Sequence, residues 1–243
     1  MRELFERYYE ESLSQSESQC LDLKTFELAS RKYRWNYRRF FSSLSKDAAI
    51  LDIGCGLGQF LYWLNKEGFH NITGIDISKS QVELALKLQP QLNIHHVDNP
   101  IDFLAQHPGE FSVITLNDVL EHMELDQLIP TMQAVHHALK DDGLVVIKTV
   151  NSAYPLGYSQ RYNDLTHKAA FHEKSLTQLL RHTGFTDIHC YQEEIGLYNP
   201  LFIAKKAIVI MTRLLLKTLV YFTEGGWPKI ISVNLIAAGK KKN

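Results

Sequence analysis

Cysteine is scarce: three in 243 residues, at positions 20, 55 and 190, odd in number and without metal-ligand spacing. A disulfide scaffold and a zinc ribbon are thereby excluded, and a reducing, cytoplasmic compartment is expected. The opening residues, Met1 to Arg7, carry acids and no apolar core, so no secretory signal is expected. No charge-free run reaches the 18 residues that a membrane-spanning helix needs. Internal repeats and low-complexity tracts are lacking too. A net charge of −1 shows no excess of either sign. That balance conceals an asymmetry: from residue 200 onward eight basic residues face one acid, Glu224, so a +7 tail follows a −8 body. An acidic body argues against a nucleic-acid partner, and a basic, apolar tail suits an anionic membrane surface.

What is present is a chain long enough for one large domain with appendages, 45% hydrophobic and 22% charged. From about residue 49, short apolar runs alternate with helical patterns, the mark of a parallel sheet built from βαβ units. Strands are predicted at Ala49–Ile53, Ile72–Ile75, Ile94–Val97, Ser112–Leu116, Leu144–Thr149, Ile188–Gln192 and Val233–Ala237. Helices are predicted at Ser78–Leu88, with Ser78 as N-cap, at Leu125–Leu139, ending before the turn Asp141-Asp142-Gly143, and from about Ser175 to His182.

The most informative stretch is Asp52-Ile53-Gly54-Cys55-Gly56-Leu57-Gly58-Gln59 at the end of the first strand. A glycine-rich turn there lets backbone approach a ligand at the carboxyl edge of the sheet. The G-x-G-x-G spacing departs from the G-x-G-x-x-G of a dinucleotide fold, since position 59 is Gln. Asp52 also places a carboxylate where pyrophosphate would be repelled and an amino acid's ammonium welcomed.

With Gly74-Ile75-Asp76-Ile77-Ser78 at the end of the second strand, these residues resemble the class I S-adenosylmethionine-dependent methyltransferases over roughly residues 45–190. The resemblance implies an α/β, Rossmann-like fold: a seven-stranded, mostly parallel sheet with helices on both faces. It divides the chain into a helical lid (1–45), the cofactor core (46–196), and an apolar helical insertion with the final strand (197–243). It also implies S-adenosylmethionine as cofactor. Gly54, Cys55, Gly56 and Gly58 would wrap its methionine part, with Asp52 near the ammonium. Asp76, followed by Ile77, would take the ribose hydroxyls. Asp98 with Asn99 would sit by the adenine, and Asn117 beside the sulfonium.

Asp118, Glu121 and His122 follow the fourth strand. On a helical turn they share one face at i, i+3 and i+4, or Asp118 and Glu121 form a capping box. The block resembles the [DE]-x-x-E-H motif of quinone-biosynthetic and small-RNA O-methyltransferases, some of which hold a divalent metal with these groups. Two oxygens and a nitrogen suit Mg²⁺, Mn²⁺ or Fe²⁺, but three ligands do not require a metal and none is expected. After the fifth strand, Asp164-Leu165-Thr166-His167, with Phe171, Ser175-Leu176 and Gly184-Phe185, resembles a pattern of many bacterial methyltransferases. His167 is the first candidate for general base and His122 the second, which favours oxygen as the methyl acceptor. A small molecule, a lipid-linked glycan or a quinone precursor is the acceptor class implied. An N- or C-methyltransferase, a catalytically silent cofactor-binding subunit and a nicotinamide dehydrogenase are the alternatives.

Both ends of the chain carry further patterns. Tyr33, Tyr37, Phe40 and Phe41 form an apolar stripe among basic residues, read as a lid helix in preference to an RNA-binding surface. In 201–223, Lys206, Arg213 and Lys217 fall together on a helical wheel and apolar residues cover the rest. Three readings stay open: a helix lying in an anionic membrane interface at the inner face of the membrane, a core helix, or a homodimer contact.

Overall fold

The computed structural model describes residues 23–154, 157–196, 200–226 and 229–242. Cys20 and the first half of the expected lid lie outside the described residues.

Helix α1 (Leu23–Phe41) leads into β1 (Ile50–Ile53), α2 (Gln59–Lys66), β2 (Ile72–Asp76), α3 (Lys79–Leu88), β3 (Ile94–His96) and α4 (Pro100–Ala105). Then come β4 (Phe111–Asn117), a 3₁₀ turn (Leu120–His122), α5 (Leu125–Ala138), β5 (Leu139–Val150), α6 (Gly157–Tyr162), α7 (Glu173–His182), β6 (Phe185–Gln192), α8 (Pro200–Glu224) and β7 (Asn234–Lys241). The seven strands form one sheet in the order β3-β2-β1-β4-β5-β7-β6. Pairings from β3 through β5 are parallel, and β7 runs antiparallel to both of its neighbours. This is the expected seven-stranded, mostly parallel α/β fold, with α8 inserted between the last two strands.

Local chemistry accounts for most element boundaries. Ser78 is the N-cap of α3, its hydroxyl accepting from the Gln81 N–H. Residues 139–143 depart from expectation. The Asp141-Asp142-Gly143 segment does not separate α5 from β5 but bulges within the strand, where the register jumps between Phe111 and Val113. Asp142 sits there at φ 59°, a backbone state that Asp tolerates better than most residues.

The twofold alternation of strand side chains sorts the core into two layers. Leu51, Ile53, Ile114, Leu116, Val145 and Ile147 face α5 and α7, meeting Met132, Val135, Leu176 and Leu180. Ile50, Val113 and Val146 face the other way, toward α1, α2 and α3. On that side α1 lays Tyr33, Tyr37 and Phe41 edge-on against Phe60 and Trp63 of α2, with ring centroids 5.0–5.4 Å apart in the tightest pairs. The expected aromatic stripe therefore faces inward, and α1 is part of the core. The same alternation carries Asp52, Thr115, Asn117 and Lys148 onto the α1 side at the carboxyl ends of their strands.

Candidate cofactor pocket and reactive face

At the carboxyl end of β1 the chain turns through Gly54, Gly56 and Gly58, with φ of 70°, 51° and 77°. The left-handed backbone favours glycine at each position. Gly54 has a steric reason as well: a Cβ there would lie 2.5 Å from Val119 Cγ2. This loop borders a cavity of about 240 Å³ lined by Tyr33, Asp52, Gly54, Cys55, Gln81 and Asn117, among others.

The polar groups of the cavity are tightly organised. Asp52, 1% exposed, accepts hydrogen bonds on Oδ1 from Thr115 Oγ1 (2.6 Å) and Asn117 Nδ2 (3.1 Å). Burial pushes its carboxyl up to about 7, against the pull of these two hydrogen bonds. Asn117 Oδ1 in turn accepts from the Tyr37 hydroxyl, which fastens α1 over the pocket. Cys55 lines the cavity, and burial raises its thiol well above the ordinary range.

Asp76 ends β2 beside the glycine loop. Its two oxygens accept the N–H groups of Gly56 and Ser78, each at 2.8 Å, so the acid ties strand to loop. Ile77 stands exposed next to it. Asp98 is exposed, and Asn99 caps α4 by accepting from the Ile101 N–H. The structure thus gives Asn99 a structural partner at the place where adenine contact is expected. His96, opposite Asp76 in the β2–β3 register, keeps Nε2 buried without a hydrogen-bond partner among the described residues.

The trio Asp118, Glu121 and His122 is not brought together. Asp118 adopts φ 56° instead of starting a helical turn, and its N–H donates to the Lys148 carbonyl. Its carboxylate pairs with Lys148 Nζ at 2.5 Å. The capping box fails for the same reason: Val119, with no side-chain cap, precedes the 3₁₀ turn. Glu121 turns into the protein, where Oε2 accepts from Thr149 Oγ1 (2.9 Å). Burial, reinforced by the nearby Asp118 charge, pushes its carboxyl well above the usual carboxylate range. These three residues do not fit a shared metal.

His122 meets His167 instead, with ring centroids 4.6 Å apart. Glu121 arranges the meeting, because its backbone carbonyl accepts the N–H groups of Lys168 and Ala169 and docks the loop after α6. Thr166 Oγ1 gives its single proton to Asp164 Oδ1 (2.6 Å), so at 2.9 Å it must accept from His122 Nδ1–H. His167 Nδ1 lies 2.8 Å from the Gln160 carbonyl, which can only accept. In their neutral forms both imidazoles therefore carry the lone pair on Nε2. Burial and the neighbouring His167 lower the His122 pKa, favouring the neutral ring against the opposing pull of Asp164. Donor atoms of His122, Asp164 and His167 lie within 4.8 Å of one another, close enough to share a cation, unlike Asp118, Glu121 and His122. His172 stands apart as the N-cap of α7.

Lys148, Asp164 and Thr166 carry no role in the sequence reading. Lys148 is buried on β5 directly opposite Asn117. Burial disfavours its charge, yet Asp118 with Tyr37 and Tyr33 holds it well above the ordinary ammonium value. A lysine inside the apolar run 144–150 is the signal that could have found it.

A methyltransferase-domain family model matches residues 26–190. The chain is 31% identical over 121 residues to EEF1A lysine methyltransferase 2 of Danio rerio, covering 45% of this chain and 51% of that protein. It is 31% identical over 175 residues to a ubiquinone biosynthesis O-methyltransferase of Coxiella burnetii, covering 64% and 70%. It spans about half the length of most of the curated relatives it matches. Among solved structures, a SAM-dependent methyltransferase from Archaeoglobus fulgidus superposes with a TM-score of 0.67 at 20% identity, covering 89% of this chain and 94% of that one. The matched domain, the strand order and the glycine loop agree: the chain belongs to the class I S-adenosylmethionine-dependent methyltransferases.

Proposed function

We propose that the chain transfers a methyl group from S-adenosylmethionine to a hydroxyl oxygen of a small or lipid-linked acceptor, such as a quinone precursor or a carrier-bound glycan. The observation that carries this reading is the His122–His167 pair, two imidazoles with their Nε2 lone pairs set by fixed hydrogen bonds at Nδ1. When bound, the cofactor supplies a methyl carbon on a positively charged sulfur. An alcohol or phenol attacks such a carbon poorly until its proton is removed, and a positioned neutral imidazole removes it. Asp164, through Thr166, holds His122 in the base-ready tautomer. Asp52 receives the cofactor's ammonium, and the glycine turn holds its aminoacyl chain. The similarity to a ubiquinone biosynthesis O-methyltransferase supports oxygen as acceptor. The similarity to a lysine methyltransferase favours a second reading, in which the same bases deprotonate a lysine ammonium.

The test is methyl transfer from labelled S-adenosylmethionine to a phenolic quinone precursor and, separately, to a lysine-rich protein. Label in the phenol is expected, falling about 10²–10⁴-fold in the double variant His122→Ala/His167→Ala while S-adenosylhomocysteine affinity holds. Label in lysine alone would replace the oxygen reading with the nitrogen one. Turnover abolished by a chelator and restored by Mg²⁺ or Mn²⁺ would replace the base with a metal held by His122, Asp164 and His167.

A further inference from the structure

Helix α8 presents two unlike faces. Its inward row is Phe202, Lys206, Val209, Arg213, Leu216 and Val220, half-buried at helical spacing. The three cations expected to meet lipid are occupied with the protein. Arg213 pairs with Glu194 Oε1 (3.1 Å) and donates to the Glu193 carbonyl (2.8 Å). Lys206 lies over the Trp35 ring, 5.0 Å from its centroid, and Lys217 Nζ donates to the Lys229 carbonyl. The opposite face holds Ile208, Met211, Leu215, Leu219 and Phe222, all between 56% and 79% exposed, with Ile203, Ile210 and Leu214 beside them. From 207 to 223 no exposed residue of the helix bears a charge.

A face this apolar on a 25-residue helix, about 37 Å long, requires an occupant. The adjoining surface of α1 indicates which. Lys24, Leu28, Arg31, Trp35 and Arg38 are all exposed and recur at helical spacing, so cations and apolar groups alternate along one line. That line adjoins α8 where Trp35 meets Lys206 and where Leu28 and Lys32 share a cleft with Phe202, Lys205 and Val209. The combined surface is an apolar helix bordered by cations and a tryptophan, and the line on α1 contains no acid. Those are the features that seat a helix flat in an anionic lipid interface, the ring at headgroup level and the cations on phosphate. A second copy docked on the same face would bring two such basic lines together, which opposes pairing. No described helix is long and apolar enough to cross a membrane, so the contact is with one surface.

We propose that α8, with the exposed line of α1 beside it, docks this protein on the surface of an anionic phospholipid bilayer. The contact is separate from the acceptor chemistry, and its test reads no methyl transfer, so either proposal can fail alone. The full chain is co-sedimented with phosphatidylcholine vesicles and with vesicles in which part of that lipid is phosphatidylglycerol. Binding to the anionic vesicles is expected, weakening with added salt. The outward substitutions Met211→Glu with Leu215→Glu should lower it by about tenfold or more, and Arg31→Glu with Arg38→Glu by a smaller factor. Unchanged S-adenosylhomocysteine binding and circular dichroism in each variant confirm that the fold survives. No binding to anionic vesicles, or equal binding by the Met211/Leu215 variant, overturns the proposal. So does a wild-type dimer that this variant converts to monomer without any vesicle binding, since α8 would then be a contact between copies.

Discussion

Helices α1 and α8 are built from similar material, aromatic and aliphatic residues interspersed with cations, and they orient it in opposite ways. In α1 Tyr33, Tyr37 and Phe41 face inward onto α2 while Arg31, Arg34 and Arg38 face solvent; in α8 Lys206, Arg213 and Lys217 are half-buried against the body while Ile208, Met211, Leu215, Leu219 and Phe222 face solvent. What each helix meets decides the difference. The inward row of α1 meets Phe60 and Trp63, apolar partners that exclude charge. Arg213 of α8 meets the segment 193–194, where carbonyl and carboxylate oxygens converge and Asn36 of α1 exchanges hydrogen bonds with the Glu194 backbone. An amphipathic pattern establishes that a helix has two faces, but it does not say which one the body takes.

Truncation at matched sites is the strongest way to break this contrast. Phe41→Ala removes a buried ring from the α1–α2 layer and should cost about 3–5 kcal/mol of unfolding free energy by urea titration. Met211→Ala, 71% exposed on α8, should stay within about 0.5 kcal/mol. A large loss at Met211 would mean that the outer face of α8 is packed in solution. The cations should reverse the order with a smaller amplitude. Arg213→Ala gives up a partly buried ion pair and a carbonyl hydrogen bond, about 1–2 kcal/mol, whereas Arg38→Ala on the exposed line of α1 should be silent in the same titration.

The same distinction separates what could be read in the sequence from what could not. The central strands β1, β2 and β4 and the second half of β5 announce themselves as apolar runs, because a parallel sheet covered on both faces leaves few polar positions, whereas the edge strands β3 and β6 are polar and half-exposed. The glycine turn is legible because Gly54, Gly56 and Gly58 answer a local demand for positive φ, and Ser78 because capping is local. Asp118 is the informative failure. One left-handed residue, held by Lys148 from the neighbouring strand, undoes the helical spacing that would have gathered Asp118, Glu121 and His122. The pairing of His122 with His167 likewise depends on where the Glu121 carbonyl docks a loop more than forty residues away, a contact that no local pattern encodes. The faces of α8 are hidden for the same reason, since Glu194, which draws Arg213 inward, lies outside the helix altogether.

The finest comparison concerns protons. The α1 side of the sheet buries an acid whose carboxyl is pushed up to about 7, Asp52, while the exposed face of α8 carries no titratable group from 207 to 220. Between its ordinary carboxylate range and about pH 7, Asp52 in the ligand-free protein therefore holds a proton that the unfolded chain has already released. Its contribution to stability falls as pH rises toward 7, since the folded state binds the proton more tightly. A cofactor ammonium beside the carboxylate favours the ionised form and reverses the cost. Cofactor affinity should accordingly rise with pH below about 7, by about tenfold between pH 5.5 and 7, and then level off. Calorimetric titration with S-adenosylhomocysteine across that range measures it. Asp52→Asn, isosteric but without a proton to exchange, should bind more weakly at pH 7 and lose the slope. Met211→Glu with Leu215→Glu, far from the pocket on the outer face of α8, should keep the slope intact. A slope that survives Asp52→Asn would assign the proton to another group and remove Asp52 as the partner of the ammonium.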